Sequence, residues 1–581
     1  MHNMFVQDIF ALSIFGQMQS NSEKVNKMFK LKKLALATSF LLGTNSAQAL
    51  TPWTDGTPDL IIYTSGGAAQ DRAISLAVEN ALAEPGTLDT FNDLQGTTVG
   101  GRWQAFYFTG KTGLPGSLAG KKIVFEKRSY GAAGYGVVPL FANEGAGLAL
   151  EHLKIDGLAQ DKWVAGSTAK TWNASITSAN AAQYLTKTLS DGGFLGVDPD
   201  ILLKPNTENY PEQVNELTTG APEANWPTTL NKVPDGFTII PTGGLVYGVA
   251  VTADLYKVLQ AAQKRAGTLS VSAEIGHYEA KDLPNLNRNF VASVLSGKIP
   301  SWEQVKIVDK TDGNQAKSLT HPDILTDAGV SAPYKNVDNK TPVGVGRRNK
   351  GAAIGAVAYA KFLNYPGTAN ANKPASNTPA GDEDIAAPIV KSPGGVRATN
   401  NLLIDWNNGT NTSSLNPKIN EADAASPKIW GLAVNGGDGN PGTSAAGVGG
   451  NNWRYVKIDG YAPTIENVAA GAYPHWAEGV VLYPTNRASD ASWADKKALL
   501  KAFADDLGSP TVAAAVKTTL PYGVSGIFAT TKDPRNFTAE IPFNANNLVV
   551  PLTHYCDVTG STHTSIVPVL DDKATIEIEL K

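Results

Sequence analysis

The stretch Pro58–Ala83 reads PDLIIYTSGGAAQDRAISLAVENALA, and it limits the fold more than any other part of the chain. Leu60–Tyr63 is a β-rich apolar run, Thr64-Ser65-Gly66-Gly67 is a turn, and an alanine-rich helical segment begins near Ala68. A strand that feeds a helix through glycine buries its apolar faces by stacking further strand–helix units beside it. Such units recur at Lys121–Tyr130, Gly236–Pro241 and Gly244–Gly267, the last a strand running into an amphipathic helix. The alternation predicts an α/β fold with largely parallel sheets. Asn364–Gly381, Asn407–Ser414 and Asn435–Asn452 are dense in Gly, Asn, Ser, Thr and Pro and read as long surface loops.

Open α/β sheets bind ligands beyond the carboxyl ends of their strands. Three glycine-rich loops fall at such places: Thr64–Ala69, Arg128–Gly136 and Arg347–Ala353. Small residues let backbone N–H groups approach an anion, and arginine adds a planar donor fork. The candidate ligand-binding residues are therefore Thr64, Ser65, Gly66, Gly67, Ser129, Arg347, Arg348 and Gly351. Expected to pack rather than bind are Trp302, Trp453, Tyr130, Tyr135 and His475, while Asp71 caps its helix. Lys121, Lys122, Lys127 and Arg128 read as the solvated edge of a strand.

Several function classes are disfavoured. A net charge of -4 over 581 residues is unlike a general nucleic-acid binder, whose domains are usually basic. Seven scattered histidines show no metal-ligand spacing, and H-E-x-x-H, C-x-x-C and G-x-S-x-G do not occur. No catalytic residue, metal or cofactor is assigned. The lone Cys556 permits no intramolecular disulfide. Residues 1–49 read as an N-terminal extension followed by a secretory signal. Lys30, Lys32 and Lys33 precede the apolar run LALATSFLLG, and Ala47-Gln48-Ala49 offers a small-x-small cleavage site. No later apolar run reaches transmembrane length, so the expectation is an exported protein, periplasmic or secreted, without stable membrane insertion.

The order of several segments resembles the phosphate-binding periplasmic proteins of ABC transporters, which have the type 2 periplasmic binding fold. YTSGGAAQDRAI and EKRSYGAAGYGVVPL resemble that family's first two loops. Ser296–Trp302 (SGKIPSW) and Lys457–Pro474 (KIDGYAPTIENVAAGAYP) are the most specific matches, and VGVGRRNKGAAIGA stands where the family has its Arg-x-x-x-Ser-Gly-Thr anion loop. The resemblance implies two α/β lobes with two crossovers, near Gly243–Val249 and near Ile429–Val434, and long loop insertions. Lobe one would comprise 50–245 and 431–545, lobe two 246–430, with a β-rich tail at 546–581. It further implies a non-enzymatic solute-binding protein that holds phosphate or a related oxyanion between the lobes and delivers it to an ABC permease or a surface partner. The site departs from the family. Gly351, Ala352 and Ala353 carry no hydroxyl, and Leu195 and Gly196 replace a serine and a proton-accepting aspartate. Each missing bond to a charged group is worth about 1.5–3 kcal/mol, so weak binding is implied. The alternative is a secreted, cell-surface or extracellular-matrix protein that reuses the scaffold without transport. Cleavage between Ala49 and Leu50 is the first testable expectation, and N-terminal sequencing of the exported protein checks it.

Overall fold

The computed structural model describes residues 56–67, 70–95, 98–228, 230, 233–367, 371–379, 387–394, 398–416, 426–530 and 548–550. The leader, Ala68–Ala69, Cys556 and most of the tail lie outside these residues. Leu60–Gly66 forms the expected strand and runs in the interior of a sheet, parallel to Lys122–Arg128 on one side and to Gly192–Leu195 on the other. Thr98–Thr109 and Asp89–Gln95 extend the sheet in antiparallel fashion beyond Lys122–Arg128. In the other direction Gly192–Leu195 is antiparallel to Trp476–Pro484, which is antiparallel to the 16-residue strand Phe237–Thr252.

That long strand changes neighbours along its length. Phe237–Val246 pairs with Trp476–Pro484, whereas Tyr247–Val251 pairs with Gly431–Gly436. Gly431–Gly436 is parallel to Gly344–Gly346, which is parallel to Ile389–Lys391. The result is a mixed α/β architecture with two halves that share one strand, within a 15-stranded sheet. The sheet is mixed rather than largely parallel, because the shared strand runs antiparallel to its neighbours in both halves. The first crossing falls within Gly243–Val249. Gly431–Gly436 and Trp453–Tyr455 still pair with the second half, and the chain re-enters the first half's sheet at Trp476 rather than at residue 431.

Lys122–Arg128 is an internal strand, so the reading of its basic residues as a solvated edge fails for two of them. Lys127 and Arg128 are buried. Lys127 pairs with Asp71 at 2.7 Å, and the Arg128 guanidinium donates to the carbonyls of Glu151 and Tyr130 and lies against the Tyr130 and Tyr135 rings. Trp302 and Trp453 are core residues as expected, and Trp302 donates its indole N–H to the Trp430 carbonyl at 3.0 Å.

The joint between the halves is tightly packed. Tyr247 donates its backbone N–H to the His475 carbonyl at 2.8 Å. The His475 ring stacks on Phe362 of the second half, with centroids 4.2 Å apart, and meets Tyr473 edge-on. Burial, together with the nearby Lys361 and Arg288 cations, pushes the imidazole pKa down to about 3. Its folded-state pKa thus lies below the unfolded value, so its contribution to stability is complete above the ordinary histidine range and is lost as pH falls toward 3. His475→Phe should flatten the dependence of melting temperature on pH across this acid window. A second expectation concerns Gly66, where an added Cβ would lie 2.0 Å from the Phe194 carbonyl oxygen. Backbone cannot move aside as a flexible side chain can, so Gly66→Ala should cost about 1–3 kcal/mol or more in urea unfolding.

Candidate ligand cleft

A cleft of about 280 Å³ opens between the halves. The loops that line it follow the carboxyl ends of four strands, two from each half. Gly67, Asp71 and Arg72 come after Leu60–Gly66, and Ser129 and Tyr130 after Lys122–Arg128. Arg348 and Asn349 come after Gly344–Gly346, and Asp438 after Gly431–Gly436. This is the place where strand direction and loop connection leave room for a ligand in an open α/β sheet.

The charges within it are unequal in availability. Asp71 is held by Lys127 and lies 3.5 Å from the Ser129 hydroxyl; burial raises its carboxyl pKa while Lys127 opposes the rise. Arg102 is engaged by Asp93 through two hydrogen bonds of 2.7 and 2.9 Å and also donates to the Ile176 carbonyl. Arg348 is half-buried, and burial pushes its pKa down to about 10, which leaves it a cation at neutral pH. Arg72 is exposed at the cleft and forms no ion pair or hydrogen bond among the described residues. Three amides, Asn349, Asn400 and Asn435, belong to the polar lining. Asn435 is 3% exposed and accepts from the Thr399 hydroxyl at 2.6 Å, and its Nδ2 has no partner among the described residues. Asn400 is 9% exposed, and its Oδ1 likewise has none.

Of the eight residues singled out from the sequence, the cleft gathers Gly67, Ser129 and Arg348. The others lie elsewhere. Thr64 donates its hydroxyl to the Glu126 carbonyl and Ser65 to the Tyr135 carbonyl at 2.9 Å, both within the buried sheet. Gly66 is pressed against Phe194. Arg347 turns away from its neighbour Arg348 to pair with Glu208 and donate to the Ala375 carbonyl. Gly351 lies under Pro211, whose Cβ would be 2.4 Å from a Cβ added there, and its carbonyl accepts from Gly134 N–H at 2.9 Å. Successive residues leaving a strand alternate in direction, so two adjacent arginines reach different surroundings. Arg72, Asn400 and Asn435 were not singled out. A signal for Arg72 existed, since it follows the first glycine turn; the asparagines, polar and uncharged, carried none.

A second constellation is buried in the first half. Ser190 Oγ lies 3.0 Å from His152 Nε2, and His152 Nδ1 lies 3.3 Å from Glu126 Oε2. The order of groups is that of a nucleophile, a base and an acid. All three are at most 2% exposed, and none lines the cleft. Burial holds the imidazole well below its usual pKa and the Glu126 carboxyl well above its own, which describes a neutral, packed cluster. Among the described residues no group of His, Cys, Asp and Glu could hold a metal ion, and no helix is long and apolar enough to cross a membrane.

No protein-family model matches the sequence, and no curated protein is similar to it. Solved structures offer a distant likeness. An ABC-type phosphate transport receptor from Vibrio cholerae is 9% identical, with 59% of this chain and 84% of that chain covered and a TM-score of 0.24. A phosphate-binding protein from Stenotrophomonas maltophilia is 10% identical, with 63% and 84% covered and a TM-score of 0.24. PstS from Borrelia burgdorferi is 12% identical, with 50% and 72% covered and a TM-score of 0.22. A likeness at this level transfers no residue role to this chain.

The Arg347–Glu208 pair joins the second half to a loop of the first, and the Arg347 side chain is only 6% exposed. Glu208→Ala should therefore cost about 1.5–3 kcal/mol in urea unfolding, the worth of hydrogen bonds to a charged group. Glu212→Ala, which removes a more exposed carboxylate 3.4 Å from Lys350, should cost under about 1 kcal/mol.

Proposed function

We propose that this protein is an exported solute-binding protein that takes a small anionic molecule into the cleft between its halves, without catalysing a reaction. The observation that carries the reading is the placing of Arg72, exposed and without a partner among the described residues, in one cleft with Arg348 at strand carboxyl ends. Gly67 and Ser129 contribute backbone approach and a hydroxyl beside them. Export rests on the lysine-rich, apolar leader ending in Ala-Gln-Ala. The recipient of the bound molecule would be a membrane permease.

One observation favours a second reading, a secreted or surface protein built on the same scaffold. Arg347 already holds a carboxylate of its own chain, and Pro211 covers Gly351, so the halves are stitched together without a ligand. In that reading the fixed pair of halves is a rigid module, and the cleft is incidental.

Thermal unfolding in the presence of phosphate, sulfate and small organic anions separates the two. A ligand at a hundred times its dissociation constant stabilises by about 2.7 kcal/mol, a visible shift. Arg72→Ala should weaken anion binding by about 10-fold or more, the equivalent of one charge-assisted hydrogen bond. Its ligand-free melting temperature should stay unchanged, because Arg72 is exposed and has no partner among the described residues. A wild type insensitive to every anion would leave the rigid-module reading.

A further inference from the structure

Arg347 leaves the cleft to its neighbour Arg348, yet its surroundings are those of a receptor for an anion. Everything that fixes its guanidinium, apart from the carboxylate it holds, comes from the second half. Its backbone N–H donates to the Lys391 carbonyl at 3.0 Å, its Nη1 donates to the Ala375 carbonyl, and the guanidinium carbon lies 5.8 Å from the Tyr359 ring centroid. The side chain is only 6% exposed, so it is held in one place. A second cation stands beside it, with Lys350 Nζ 3.8 Å from the carboxylate that Arg347 holds. A guanidinium already fixed loses little rotamer freedom on binding, and at this depth it is costly to leave without a counter-charge.

The counter-charge is supplied by the other half. Glu208 sits on a segment whose base is fastened to the first half: Asp200 accepts from the Val233 N–H at 3.0 Å, and the Tyr135 hydroxyl accepts from the Val214 N–H at 2.7 Å. From there the segment reaches across. The Glu208 carboxylate pairs with Arg347, its N–H donates to the Tyr365 hydroxyl at 2.8 Å, and Pro211 lies against both Gly134 of the first half and Gly351 of the second. Occupant and receptor differ in exposure. The Glu208 side chain is 31% exposed, so solvent reaches the place of the carboxylate although the guanidinium behind it is buried.

We infer that Arg347, with Lys350 beside it, is a carboxylate-binding site that the protein keeps filled with its own Glu208, an internal ligand that clasps the two halves and whose place an outside carboxylate can take. The inference is independent of what the cleft at Arg72 and Arg348 binds. A tethered carboxylate acts at an effective concentration of roughly millimolar or higher, so a simple anion in dilute solution does not displace it. Removing the Glu208 side chain removes the competitor and leaves the receptor, whose parts all belong to the second half.

Acetate is the fragment that Glu208→Ala deletes. Thermal unfolding of the full chain in sodium acetate, compared with sodium chloride at equal ionic strength, tests the site, with Arg72→Ala in every variant to silence the cleft. Acetate should recover about half or more of the melting temperature that Glu208→Ala loses, because it binds the folded form alone. It should raise the parent that keeps Glu208 no more than chloride does, and adding Arg347→Gln should abolish the recovery. If Glu208→Ala does not fold, Glu208→Ser opens the same space and gives the same readout. Equal melting in acetate and chloride would overturn the inference and leave the anion-binding reading of the cleft standing, since that reading is tested with Arg72 in place. Recovery that survives Arg347→Gln, or an equal rise in the parent, would overturn it as well.

Discussion

The pairing of one strand with two different sheets is the constraint on which the rest of the molecule depends. Phe237–Val246 is held by Trp476–Pro484 and Tyr247–Val251 by Gly431–Gly436, so neither half has an independent edge at the joint. Backbone hydrogen bonds across such a strand tolerate no slip of register, because a shift of one residue would turn every inward side chain outward. The strand therefore sets the distance between loops that arise far apart in sequence. Arg72 and Arg348 face one cleft only because both halves are fastened to this one element.

The same fixation explains the buried charge. Lys127 and Arg128 end a central strand, where water is absent, and each is compensated by groups that the sheet brings to it. Asp71 reaches Lys127 from the first helical turn, and carbonyls and tyrosine rings surround Arg128. A buried cation without such neighbours would carry a cost of several kcal/mol. The cleft takes the opposite course with Arg72, which is exposed.

The strand–turn–helix alternation, the tryptophan core and the first crossing at Gly243–Val249 were legible in the sequence, because periodicity and glycine placement report directly on backbone geometry. The α/β class followed from them. The direction of individual side chains did not. Arg347 and Arg348 are equivalent as letters, and only the fold shows that Glu208, a loop residue far upstream, claims the first of them. Lys127 reads as a surface residue until Thr98–Thr109 is seen to cover its strand on the outer side. Asn435 opens a segment that reads as a loop from its composition, yet it is buried in the strand Gly431–Gly436, which a polar, glycine-rich stretch conceals. The return of the chain at Trp476 was hidden for a related reason, since short strands such as Trp453–Tyr455 have no periodicity long enough to read.

The loop around Glu208–Pro211 has a consequence for how the halves are set against each other. Its carboxylate holds Arg347, Pro211 sits on Gly351, the Tyr365 hydroxyl accepts from Glu208 N–H at 2.8 Å, and Gly134 is bonded to Gly351. Parting the halves means releasing all of these together, so motion of one half against the other is opposed at this loop. The angle between the halves is thus fixed as much by this one loop as by the shared strand, and cutting the loop would loosen the joint without touching the sheet.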